Sequence, residues 1–213
     1  MSDIVYTIGH STHSLEQFIS LLHRHAITAL CDVRSRPYSR MHPQFNRETL
    51  TEVLQEAGIK YVFLGKELGA RSEDKSCYRD GQARYELIAR TDLFQSGIDR
   101  VKDGAHKFRV ALMCAEKEPL ECHRTILVGR RLIDDGLQVK HILADGKVED
   151  HSCSIDRLIA MLKISRNDMF RSPEDVVTDA YTLQGNAIAY REQSYDSVQP
   201  DRGARRSTHG AVE

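Results

Sequence analysis

Residues 110–136 read VALMCAEKEPLECHRTILVGRRLIDDG. The short apolar run 110–113 predicts a buried strand. Residues 114–121 are polar and predict a loop. From Cys122-His123-Arg124 the chain enters a helical pattern that should stop at Gly136. A strand passing through a loop into a helix N-terminus is a usual setting for anion binding. The first backbone N–H groups of a helix lack partners, and its dipole favours negative charge there. Two thiols, an imidazole, a guanidinium and the carboxylate of Glu116 crowd into this one loop.

Working outward, further short apolar or β-branched runs predict strands at 4–8, 29–33, 61–64 and 139–143. Between them lie segments with helical spacing. One begins at Ser14, with Gln17 three residues on as a capping box. Another follows Asn46 as N-cap and stops at Gly58. Two more are expected near 85–90 and 92–103, and residues 70–82 are polar enough for a long loop or lid. This β-α alternation predicts an α/β fold, a mainly parallel sheet of about five strands with helices on both faces. Residues 1–165 would form that domain. Residues 166–192 would be a helical C-terminal extension, with apolar positions 176, 177, 180, 183 and 188, and the polar stretch 193–213 a disordered tail.

In parallel α/β sheets, ligands sit beyond the carboxyl ends of the strands. That rule collects Gly9, His10 and Ser11, then Asp32 and Arg34, then Gly65, then residues 114–124 into one region. Cys114 at the strand end is a candidate nucleophile, or else a small buried hydrophobe; Cys122 is its rival. Arg124 in a first helical turn opposes the dipole unless it faces an anion, or an internal partner such as Asp32 or Glu116. Asp32 and Arg34 are either an ion pair fixing the loop or an acid-base group beside an anion clamp. His10 and His123 are acid-base candidates, with Glu116. His141, inside a strand, reads as a core or rim histidine. Arg34, Arg36 and Arg40 make the second loop basic, able to hold phosphates or simply solvated. No short-spaced ligand pair is present, so no metal is expected, and no cofactor is implied.

The chain has 213 residues and a formal charge of -1, which gives no global argument for nucleic acid or a membrane. There is no signal-like N-terminal segment and no apolar run long enough to span a bilayer. The 5 cysteines are irregularly spaced, which argues against a disulfide framework and for a cytoplasmic protein with reduced thiols. The oligomeric state is not readable.

YTIGHS, DVRSRPYSR followed by PQFN, YVFLGKELG and MCAEKEPLECHR, then VKHIL, resemble the Domain of Unknown Function 488 family in order and spacing. The C-terminal QGNAIAYR resembles that family's last segment. The resemblance implies a compact α/β domain with a shared polar pocket, and no activity. A weaker similarity, at the level of fold, is to rhodaneses and cysteine phosphatases. Asp32 to Arg34 would be the turn after a strand, and Cys114, Arg124 and Gly136 the later strand end, helix and stop. Those families use a tight loop of about five residues between Cys and Arg. The loop here is longer and contains Pro119.

These readings lead to an enzyme, a hydrolase or group transferase, that binds a phosphorylated or nucleotide-like anion at the strand ends. Cys114, Glu116, His123 and Asp32 would carry the chemistry. His10, Ser11, Arg34, Arg36, Cys122 and Arg124 would hold the ligand. The alternatives are a non-catalytic nucleic-acid-binding module, helped by basic residues at 202–206, and a rhodanese-like sulfurtransferase using Cys114.

Overall fold

The computed structural model describes residues 3–166 and 170–192. The chain runs β1 (Ile4–Gly9), α1 (Leu15–Arg24), β2 (Ala29–Asp32), α2 (Arg47–Glu56), β3 (Lys60–Phe63), α3 (Gly65–Leu68), β4 (Tyr78–Arg79), β5 (Gln82–Ala83), α4 (Tyr85–Ile88), α5 (Asp92–Ala105) and β6 (Val110–Cys114). A π-helix (Arg124–Gly129) then leads into α6 (Arg130–Asp134), followed by β7 (Gln138–Ile142), β8 (Val148–Asp150), α7 (His151–Met161) and α8 (Pro173–Ile188). The main sheet has the order β3-β2-β6-β1-β7-β8. Every pairing in it is parallel except β7 with β8.

Strand side chains alternate between two cores, as the pleat requires. Val5, Cys31, Leu112, Cys114 and Val139 join residues of α5, α6, α7 and α8 on one face. Tyr6, Ile8, Leu30, Ala111 and Met113 join α1 and α2 on the other. α1 forms where it does because Ser14 and Gln17 close a reciprocal capping box, and because Phe18, Leu21 and Leu22 recur on one face. Phe18 is fully buried, and Phe18→Ala there would cost about 3–5 kcal/mol. Central placement of β6 brings Cys114 to the middle of the carboxyl edge.

The sheet carries one strand more than expected: β8 turns back on β7 after Gly146, which supplies a positive φ of 81°. Residues 70–82 are not a structureless lid. Asp74 caps a 3-10 turn (Lys75–Cys77), and β4 and β5 make a small hairpin whose Gln82 bridges to Arg191. Asn46 occupies the N-cap of α2, but its Oδ1 accepts from the Ser39 N–H at 2.7 Å instead of from the helix. α8 packs on α7 and the π-helix through Val176, Ala180 and Tyr181, while Leu183, counted in the predicted apolar stripe, is 51% exposed. The predicted tail, 193–213, lies outside the described residues. Among the described residues, no helix is long and apolar enough to cross a membrane.

Candidate functional site

The loop after β6 is held by backbone before any side chain acts. The His10 N–H donates to the Cys114 carbonyl at 2.9 Å, and the Ser11 N–H to Ala115 at 2.9 Å. Gly9 lets the two chains meet: a Cβ there would fall 1.9 Å from the Glu116 carbonyl oxygen. The Arg124 guanidinium closes the loop from the other side, donating to the Glu116 carbonyl at 2.8 Å and to that of Lys117 at 3.4 Å. The chain therefore turns from β6 through a 3-10 turn (Pro119–Glu121) into the π-helix with Cys122 and His123 facing back at Cys114. π-turns often accompany functional sites.

Four reactive groups meet there. The Cys114 and Cys122 thiols both donate to Glu116 Oε2, at 2.8 and 3.0 Å. His123 Nδ1 lies 3.7 Å from the Cys114 sulfur and 3.8 Å from the Cys122 sulfur. His123 Nε2 is 3.0 Å from the Val33 carbonyl oxygen, which can only accept, so the ring donates there. Cys114, Cys122 and His123 are buried; Glu116 reaches solvent.

Their proton affinities are pulled apart. Burial pushes the Cys122 thiol up, but the hydrogen bond from Cys114, the Arg124 guanidinium and His123 outweigh it and hold Cys122 well below the ordinary thiol range. Cys114 moves the opposite way, through its bond to Cys122 and its burial. Burial, then the charge on Cys122, raises the Glu116 carboxyl. Burial would lower His123, yet its contact with Cys122 raises it.

These groups open into a cavity of about 320 Å³, lined also by Arg34, Arg36 and Arg71. Tyr85, Ile188 and Tyr190 complete the wall, and the Arg71 guanidinium lies 4.5 Å from the centroid of the Tyr190 ring. Arg34, Arg36, Cys114, Glu116, Cys122 and His123 of the predicted set thus share one cleft. The other four stand behind it. Asp32 is fully buried and pairs with Arg34 at 2.9 and 2.6 Å, while accepting from the Tyr61 hydroxyl at 2.8 Å. His10 stacks on Phe45, accepts from Arg34 at 3.3 Å and donates through Nδ1 to the Ser11 carbonyl. Ser11 takes a left-handed backbone, φ 49°, at the turn after β1. Arg124 is fully buried and spends its guanidinium on loop carbonyls, neither on Asp32 nor on the cleft.

Sequence reasoning missed Arg71, Tyr85 and Tyr190 as cleft residues. Arg71 lies in the predicted lid stretch and Tyr190 at the end of the predicted C-terminal helix, but nothing in the sequence shows that α8 returns to the strand ends. It also missed a ligand set: the donor atoms of Cys114, Cys122 and His123 all lie within 4.8 Å of one another. His141 is buried as expected, linked to Thr7 at 2.8 Å and to His151 at 3.0 Å.

Fold and site define a parallel α/β protein with a cysteine-, histidine- and arginine-lined cleft at the carboxyl ends of its strands. A family model described as "Domain of unknown function DUF488" matches residues 14–130, more than half of the chain. The chain belongs to that family. No curated protein and no solved structure matches it, and the fold-level similarity to rhodaneses and cysteine phosphatases stands unsupported.

Proposed function

We propose that the cleft is the active site of an enzyme that binds a phosphorylated or nucleotide-like anion and carries out hydrolysis or group transfer on it. The observation that carries this reading is the meeting of Arg34, Arg36 and Arg71 with Cys114, Glu116, Cys122 and His123 around one cavity. Guanidinium groups bind phosphate and carboxylate in a bidentate way, so the arginines suit the anion. Groups whose proton affinities are driven apart suit proton transfer beside it. Arg34 is already paired with Asp32, so Arg36 and Arg71, both exposed, supply the free positive charge. Five free thiols agree with a reducing cytoplasm.

Calorimetric titration with inorganic phosphate and with nucleoside mono- and triphosphates tests the reading. Arg36→Ala and Arg71→Ala should each weaken binding about tenfold, the loss of a charge-assisted contact of about 1.4 kcal/mol, and leave stability within about 0.5 kcal/mol. Arg124→Ala should instead lower stability. Wild-type affinity unaffected by both rim substitutions would overturn the assignment. For the two alternatives, support is thinner. A nucleic-acid module draws on basic residues at 202–206, outside the described residues. Sulfur transfer at Cys114 needs a thiolate in a buried setting that raises its thiol.

A further inference from the structure

We propose that Cys114, Cys122 and His123 are the three protein ligands of a zinc ion whose fourth position opens into the cleft. The inference goes beyond the function proposed above, whose anion binding rests on the arginine rim. It assigns the two cysteines as ligands instead of nucleophiles.

Spacing comes first. With Zn–S near 2.3 Å and Zn–N near 2.0–2.1 Å, tetrahedral geometry sets sulfur and nitrogen roughly 3.6 Å apart. The two sulfur-to-Nδ1 distances are 3.7 and 3.8 Å. All three donor atoms lie within 4.8 Å of one another, so one divalent ion is within reach of the whole set.

Orientation comes second. His123 donates through Nε2 to the Val33 carbonyl, which leaves the Nδ1 lone pair facing both sulfurs. A ligating imidazole fixed through its other nitrogen by a carbonyl is the usual second shell of a zinc site. The Arg124 backbone N–H also points at the Cys122 sulfur, at 3.5 Å, and so can stabilise a bound thiolate.

Charge and access come third. Two thiolates neutralise a divalent cation in a buried setting, and thiolate with imidazole selects zinc over magnesium or calcium, which take oxygen ligands. The metal takes both sulfurs as thiolates and the imidazole through its free lone pair, so loading releases whatever protons these three groups carry. All three ligands line the cleft, so an entry path exists. Glu116, now bonded to both thiols, loses those donors on loading. It would then border the open position, where a metal with three protein ligands acts on a bound ligand.

The test uses the full chain, untagged and purified under reducing conditions, then incubated with zinc and desalted. Elemental analysis should give roughly one zinc per chain. The cobalt(II) form should show thiolate-to-metal charge transfer and intense tetrahedral d–d bands. Cys114→Ser and Cys122→Ser should lose both signals, and Cys153→Ser, at an exposed cysteine, should keep them. In the wild-type chain, zinc should protect Cys114 and Cys122 from alkylation, a readout that needs no variant to fold. A chain that retains no zinc and alkylates at the same rate with and without it would overturn the proposal. Phosphate titration on the same sample reports the anion rim separately, so failure of one reading is distinguishable from failure of the other.

Discussion

His123 Nε2 sits 3.0 Å from the carbonyl oxygen of Val33, tying the loop after β6 to the backbone leaving β2. That contact couples two neighbouring strands of the sheet at their carboxyl ends and decides which ring nitrogen carries the proton. Neutral His123 should be the Nε2–H tautomer, readable from long-range ¹H–¹⁵N spectra. A dominant Nδ1–H tautomer would show that the ring faces the sulfurs the other way round.

Asp32 and Arg34 form a buried pair, 0% and 6% exposed. Removing one charge strands the other in a medium that cannot solvate it. Asp32→Asn should therefore lower unfolding free energy by about 3–5 kcal/mol in denaturant titrations. Tyr61→Phe removes only one bond to the same carboxylate, and about 1.5 kcal/mol is expected. Equal effects of the two substitutions would mean that the pair is not the anchor of this loop.

Acid should weaken the fold before the carboxylates titrate. Burial holds His151 at about 4. Burial, then the Arg34 charge, holds His10 at about 4, and burial lowers His141 as well. Each remains neutral in the folded chain while its unfolded counterpart, near 6.5, takes up a proton. The unfolded state then binds more protons, so stability is intact above about pH 6.5 and falls as the pH drops, the contributions of His10 and His151 levelling off below about 4. The slope should approach 1.4 kcal/mol per pH unit for each histidine, to order of magnitude. His151→Gln should flatten it; an unchanged slope would assign the effect elsewhere.

Two glycines should respond in opposite directions. At Gly9 an added methyl would meet the Glu116 carbonyl at 1.9 Å, backbone that cannot step aside cheaply. Gly9→Ala should cost about 1–3 kcal/mol and disturb the cleft. Gly104 lies in α5 with only a Val110 methyl at 3.6 Å, an ordinary contact. Gly104→Ala should be neutral or stabilise by up to about 1 kcal/mol. Thermal midpoints of the two variants make the comparison.

Much of the architecture could be read from pattern. The run at 110–113 and the Ser14–Gln17 cap have local causes, so β6 and α1 fall where periodicity puts them. The strand-end rule likewise brought Cys114, Glu116 and Arg34 to one place. Long-range facts were not readable. Arg124 at the start of a helical pattern reads equally as an anion clamp or as paired within the chain, and its guanidinium in fact reaches back to the backbone carbonyls of Glu116 and Lys117. The metal-ligand spacing was hidden because Cys114 and the Cys122-His123 pair are separated by a turn that only the folded loop closes. Residues 148–150 are too short and polar to announce β8.

The family match ends at residue 130, but Ile188 and Tyr190, at the end of α8, help to wall the cleft. The cysteines, the histidine and all three cleft arginines come from the matched span. The wall of the cleft is thus drawn from both inside and outside the matched span. A different final helix packed on the same sheet would redecorate the entrance while leaving the loop after β6, pinned by the turn after β1 and by Arg124, untouched.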